Sequence, residues 1–117
     1  MGATLVLNPD GALIEINLKQ DVNEHLLPMY EHIGCTAVTY VALTDRIGLW
    51  LDEDGPLTQR PNVLASRLGW QYGLVREQFY GPVLVCGIDG AGNSTDLTDF
   101  QQAAVLTHLV DFIDHPL

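Results

Sequence analysis

Three groups of side chains in this sequence have types and spacings that could do chemistry. Asp52-Glu53-Asp54-Gly55 sets three carboxylates side by side ahead of a glycine, the composition of a divalent-cation loop. An EF-hand loop needs oxygen ligands at alternate positions over about twelve residues and closes on Glu. Pro56-Leu57 breaks that pattern and no closing Glu follows, so a solvated acidic turn is the simpler reading. Asp89, Asn93 and Asp96, with glycines between them, repeat the cation spacing weakly and have the same simpler reading.

His108, Asp111 and His115 stand at i, i+3 and i+7 and would share one helix face. Imidazole, carboxylate and imidazole suit zinc or another transition metal. The zincin spacing has its two His at i and i+4, which this is not, and a cation-capable His near the negative end of a helix explains the same residues. They form a weak metal candidate. In the third group, Gln59-Arg60-Pro61-Asn62, Arg60 offers a planar five-donor fork in an otherwise anionic chain. Asn62 is placed to cap the helix that follows. Trp50, Trp70, Tyr72 and Tyr80 could line an interface, with core packing as the competing use. The candidate binding residues are therefore Arg60, Asn62, Asp52, Glu53, Asp54, Trp70 and Tyr72.

Other chemistries find no support. There is no G-x-S-x-G elbow, and Ser66 and Ser94 have no readable partner. The segment Gly87-Ile88-Asp89-Gly90-Ala91-Gly92 lacks a P-loop lysine and the G-x-G-x-x-G order, and Asp89 and Asp96 would repel a phosphate. No catalytic residue and no cofactor is expected.

The elements that must position these residues follow from pattern. Ala3–Leu7 and Leu13–Leu18 read as strands joined by the turn Asn8-Pro9-Asp10-Gly11. Asp21, with Glu24 as its capping-box partner, opens a helix carrying Val22, Leu26, Met29 or Tyr30 and Ile33. Pro28 bends or shortens that helix, and Gly34 ends it. Thr36–Thr44 is the clearest strand, rich in β-branched and aromatic residues. Asp45-Arg46 makes a turn and Ile47–Leu51 returns as the partner strand. Pro61 or Asn62 opens a short helix with Val63, Leu64 and Leu68, closed by Gly69. Pro82–Ile88 is a continuous apolar run suited to an interior strand. Ser94, Thr95 and Asp96 compete to cap a last helix whose apolar face is Leu97, Phe100, Ala103, Leu106, Val110 and Ile113, widened by Leu109 and Phe112. Residues 48–68 join strand, acidic turn, loop and helix start, and the other elements are arranged about them.

The totals bound the answer. A chain of 117 residues has the size of one domain, and 47% apolar residues suffice for one core. No apolar run approaches the roughly 18 residues of a membrane span, and the first residues are not a secretory signal. Cys35 and Cys86 stand alone, as buried thiols in a reducing, cytoplasmic compartment do. Fifteen acids against five cations give a net charge of −10. That argues against direct nucleic-acid binding and favours solubility, a cationic partner or imitation of a polyanion.

LWLDEDG, then PNVLA, then YGPVLVCGIDGAG and STDLTD resemble a family of small proteins of unknown function found mostly in bacteria, their phages and other mobile elements. The shared pattern is a strand ending in acids and Gly (Asp52–Gly55), an Asn-x-x-Ala helix start (Asn62, Ala65), and Gly81 before the apolar strand Val83–Gly87. It spans roughly residues 27–98. Where the family tends to have paired glycines after the first helix, this chain has Gly34-Cys35. The resemblance implies a phage- or mobile-element origin and supplies no catalytic residues.

The expectation is one α+β domain over residues 1–117, with a mixed or antiparallel sheet of about five strands and about three helices on one side. Its expected function is that of an accessory protein binding a protein partner, in the sharper version as an acidic nucleic-acid mimic that blocks a host defence or DNA-handling enzyme. The alternative is a small enzyme or metal-binding protein using the His108 face or Arg60.

Overall fold

A computed structural model of the chain describes residues 2–17, 33–34, 37–74 and 77–114. Asn8-Pro9-Asp10-Gly11 reverses the chain as expected. The Asn8 N–H donates to the Ala12 carbonyl and Gly11 takes a φ of 90°. Strands β1 (Thr4–Leu7) and β2 (Leu13–Ile16) therefore pair antiparallel, Leu7 opposite Leu13. The expected helix from Asp21 and the position of Cys35 lie outside the described residues; Gly34 has a φ of 75°, as a helix-ending glycine does. Strand β3 (Val38–Ala42) turns through residues 43–46 into β4 (Ile47–Asp52).

The apolar run before Gly90 forms β5 (Val83–Ile88), the middle strand, which pairs with β1 on one side and β4 on the other. The two-residue strand β6 (Ser94–Thr95) pairs with the last residues of β5, past the start of β1. The strand order is β2-β1-β5-β4-β3, with every pairing antiparallel. The α+β class holds, with a short sixth strand added to the expected five.

The helices depart from expectation in four places. The acidic stretch does not simply end β4: a one-turn helix α1 (Gly55–Thr58) follows, with Pro56 in its first turn. Helix α2 (Val63–Gln71) begins at Asn62 but runs through Gly69. Gly69 is inside the helix because the Phe79 ring packs on it; a Cβ there would come within 2.9 Å of that ring. The helix instead ends over Gly73, at φ 97°, where the Gly73 and Leu74 N–H groups close onto the Trp70 and Gly69 carbonyls.

Ser94 and Thr95 do not cap the last helix, α3 (Asp99–Asp114), because they are spent on β6. Thr98 caps it: its hydroxyl accepts from the Gln101 N–H, and the Gln101 side chain accepts from the Thr98 N–H, a closed capping box. The buried face of α3 matches expectation at Leu106 and Leu109 but departs from it elsewhere. Val105 and Leu109 are buried, with Leu106 packed beside them, whereas Phe100 is 85% exposed and Ala103 and Val110 also face out. The capping box and the tie from Gln102 to the Ala3 N–H turn residues 102, 105 and 109 towards the sheet.

These elements make two unequal sides. Helices α2 and α3 cover one face, where Leu5, Leu7, Ile47, Leu49, Leu51, Val83 and Val85 meet Ala65, Leu68, Val105 and Leu109. The opposite face carries Val6, Leu84 and Cys86, with Ile33 packed onto them and Ile16, Val38, Trp50 and Ile88 at the margin. Both faces of β5 are covered, which explains its unbroken apolar sequence.

Candidate functional site

On the face opposite α2 and α3, side chains gather without being sealed among the described residues. The β3–β4 register puts Tyr40 opposite Trp50, with ring centroids 5.2 Å apart and the planes tilted by 53°. Gly48, next along this side of β4, makes room for the pair: a Cβ there would overlap the Tyr40 ring. The Trp50 indole N–H crosses the sheet to donate to the Ser94 hydroxyl at 2.9 Å. Beyond it, Asp96 accepts from the Thr4 hydroxyl at 2.9 Å and from the Asn17 amide at 3.1 Å. Tyr40 remains 38% exposed and Ile14, towards the far edge, 45% exposed.

Cys86 lies beneath this group, fully buried. Burial pushes its thiol up to about 11, although Ser94 and Trp50 beside it pull the other way. A thiol held in its neutral form is neither a nucleophile nor a metal ligand at physiological pH. Burial, and then the neighbouring Cys86, also raise the pKa of the Tyr40 phenol, so it stays a neutral donor and acceptor. The site offers an aromatic surface with hydrogen-bonding groups at its rim, and no activated group.

The residues singled out from sequence do not converge on one place. Asn62 is fully buried: its carbonyl oxygen caps Ala65, and its amide donates to the Leu7 and Gly81 carbonyls. Asp52 is 7% exposed, its carboxylate taking the Asp54 N–H, the Thr58 hydroxyl and the Gln59 amide. Both serve the joint between sheet and helices. Arg60, Glu53 and Asp54 are exposed at that end. Trp70 is half-exposed, its indole donating to the Glu77 carbonyl, and Tyr72 meets His108 edge to face at 5.3 Å on the helical side. Of the metal candidate, His108 is thus in a ring contact, while the Asp111 side chain and His115 lie outside the described residues. Among the described residues no cluster of three His, Cys, Asp or Glu could hold a metal, and no helix is long and apolar enough to cross a membrane.

The acids also divide. Asp52 ends β4 and Glu53 and Asp54 follow it, whereas Asp89, Asp96 and Asp99 gather at its start, because Ile88 bonds Arg46 and Leu97 bonds Ala3. A six-residue strand separates them by about 17 Å at 3.3 Å per residue. Asp89 is itself tied into its turn by the Asn93 and Ala91 N–H groups, which lower its pKa.

Comparison with known proteins places the chain in a family. It belongs to DUF3846, a domain of unknown function, whose model matches residues 2–110. Neither the curated proteins nor the solved structures give a match.

Proposed function

We propose that the protein is a non-enzymatic binding module that holds a protein partner against the sheet around Tyr40 and Trp50. The observation that carries this reading is the Tyr40–Trp50 pair, left open on a sheet whose other face is covered by helices. Aromatic side chains with a polar handle supply most of the energy at protein interfaces, and they do so when ringed by groups that exclude water. Ser94, Asp96 and Asn17 are such a rim. The net charge of −10 favours a cationic partner. The phage- or mobile-element origin suggested by the sequence resemblance would make that partner a cytoplasmic host protein.

Imitation of a nucleic acid is the less favoured form of this reading. It needs carboxylates arrayed on one side, and the two acidic groups stand at opposite ends of β4 with Asp52 turned inward.

The test is capture of the partner from host lysate by tagged protein, with two charge-introducing variants. Tyr40→Lys should lose the partner and Phe100→Lys, on the far side, should keep it. Retention by Tyr40→Lys, or equal loss in both, would remove the basis of the proposal.

A further inference from the structure

The backbone beside Tyr40 suggests how the partner is held. Leu43 donates to the Ile47 carbonyl, and Glu53 donates to the Ala37 carbonyl. Antiparallel ladders alternate, so residues 37, 39, 41 and 43 are the ones that exchange bonds with β4. The N–H and C=O groups of Val38, Tyr40 and Ala42 therefore point out of the sheet, along the outer edge of β3. Tyr40 and Ala42 are exposed, and among the described residues no strand pairs with this edge.

Natural sheet edges are blunted by lysine, proline, bulges or very short strands. Val-Thr-Tyr-Val-Ala has no charge and no proline, and its register with β4 runs without a bulge. The opposite edge, β2, is shorter and has Gln102 of α3 reaching across to Glu15. Charge frames the β3 edge: Glu53 and Asp54 are exposed at its start and Asp45 at its end.

We infer that the β3 edge accepts an extended, basic segment of a partner protein as a seventh strand. Main-chain bonds to Val38, Tyr40 and Ala42 supply affinity, and the Tyr40–Trp50 surface contacts every second side chain of the added strand. Cations about six residues apart in the segment reach Glu53 or Asp54 at one end and Asp45 at the other, since six steps of strand cover about 20 Å. A second copy of this chain is the wrong occupant, because it brings a net charge of −10 against −10. This inference rests on the reading that a protein is bound on this side of the sheet.

The experiment uses synthetic nonapeptides of alternating Thr and Val flanked by Arg-Lys pairs, titrated into the isotope-labelled full chain. Amide hydrogen exchange should slow by about tenfold or more at Tyr40 and Ala42, with little change at Thr39 and Val41, which already bond β4. Peptides N-methylated on alternate residues should bind at least about tenfold more weakly in the registry that blocks the ladder, as should the unmodified peptide to Ala42→Pro. Proline is tolerated on an edge where its missing N–H faced solvent, and the N-methyl series needs no variant at all. Binding that Tyr40→Lys abolishes, yet both N-methylation and Ala42→Pro leave intact, would overturn strand addition while keeping the aromatic face as the binding site. No binding by any basic peptide of this design would overturn the inference, with the lysate capture by Tyr40→Lys and Phe100→Lys still deciding the broader reading.

Discussion

Replacing Asn62 should cost far more than the loss of a helix cap. An exposed cap contributes about 0.5–2 kcal/mol. Here the side chain is fully buried and, besides capping Ala65, donates to the Leu7 carbonyl at 2.9 Å and the Gly81 carbonyl at 2.8 Å. It thereby ties the start of α2 to the end of β1 and to the turn before β5. Leaving a buried acceptor without its donor costs about 1–3 kcal/mol, towards the lower end for a carbonyl with a second lone pair. Asn62→Ala should therefore lose about 3–5 kcal/mol. In urea unfolding followed by Trp50 and Trp70 fluorescence, with a slope near 1.5 kcal/mol/M, the midpoint should fall by about 2–3 M. Asn62→Gly should be as damaging, although glycine is a mild replacement at an ordinary cap. The decisive variant is Asn62→Asp. Aspartate caps as well as asparagine on an open helix, but at this position it turns an acceptor towards two carbonyls. It should be at least as unstable as Asn62→Ala at pH 7. Stability of Asn62→Asp within about 0.5 kcal/mol of the wild type would refute the tie and leave a simple cap.

Three more outcomes are expected. Cys86 should resist thiol reagents in the native protein and react after denaturation; because its folded pKa of about 11 exceeds the unfolded value near 9, its share of stability is complete below pH 9 and is lost as pH rises towards 11, a decline of roughly 2–3 kcal/mol that Cys86→Ala should lack when unfolding is measured against pH. Gly81→Ala should destabilise by about 1–3 kcal/mol in the same urea assay, since position 81 has φ 73° and a Cβ there meets the Gln59 amide. Phe100→Ser should change stability by less than about 0.5 kcal/mol, while Leu109→Ala should lose about 2–5 kcal/mol, although the helix periodicity puts both on the apolar face.

Strands were the legible part of this fold. Turn residues at Asn8–Gly11 and Asp89–Asn93 and the β-branched run before Thr44 marked them without reference to tertiary contacts. The candidate site was harder to read because it depends on register. A two-residue turn at Asp45-Arg46 would pair Thr44 with Ile47 and set Tyr40 opposite Leu51, on the other side of the sheet. Thr44 joins the turn instead, its hydroxyl accepting from both the Arg46 and Ile47 N–H groups at 3.0 Å, so Leu43 pairs with Ile47 and Tyr40 meets Trp50. The exchange of Val105 for Phe100 on the buried face of α3 has a similar cause: the two are alike in hydropathy, and only the links from Thr98 and Gln102 decide which faces the sheet. Gly69 reads as a helix end in the sequence because the Phe79 ring that requires it comes from ten residues away.

The most direct test of partner binding at Tyr40 is the map of backbone amide and indole shifts when the isotope-labelled protein is saturated with its captured partner. Shifts concentrated at Val38–Ala42, the Trp50 indole and Ser94 are expected. Shifts confined to α2 and α3, with the Tyr40–Trp50 surface unchanged, would contradict it.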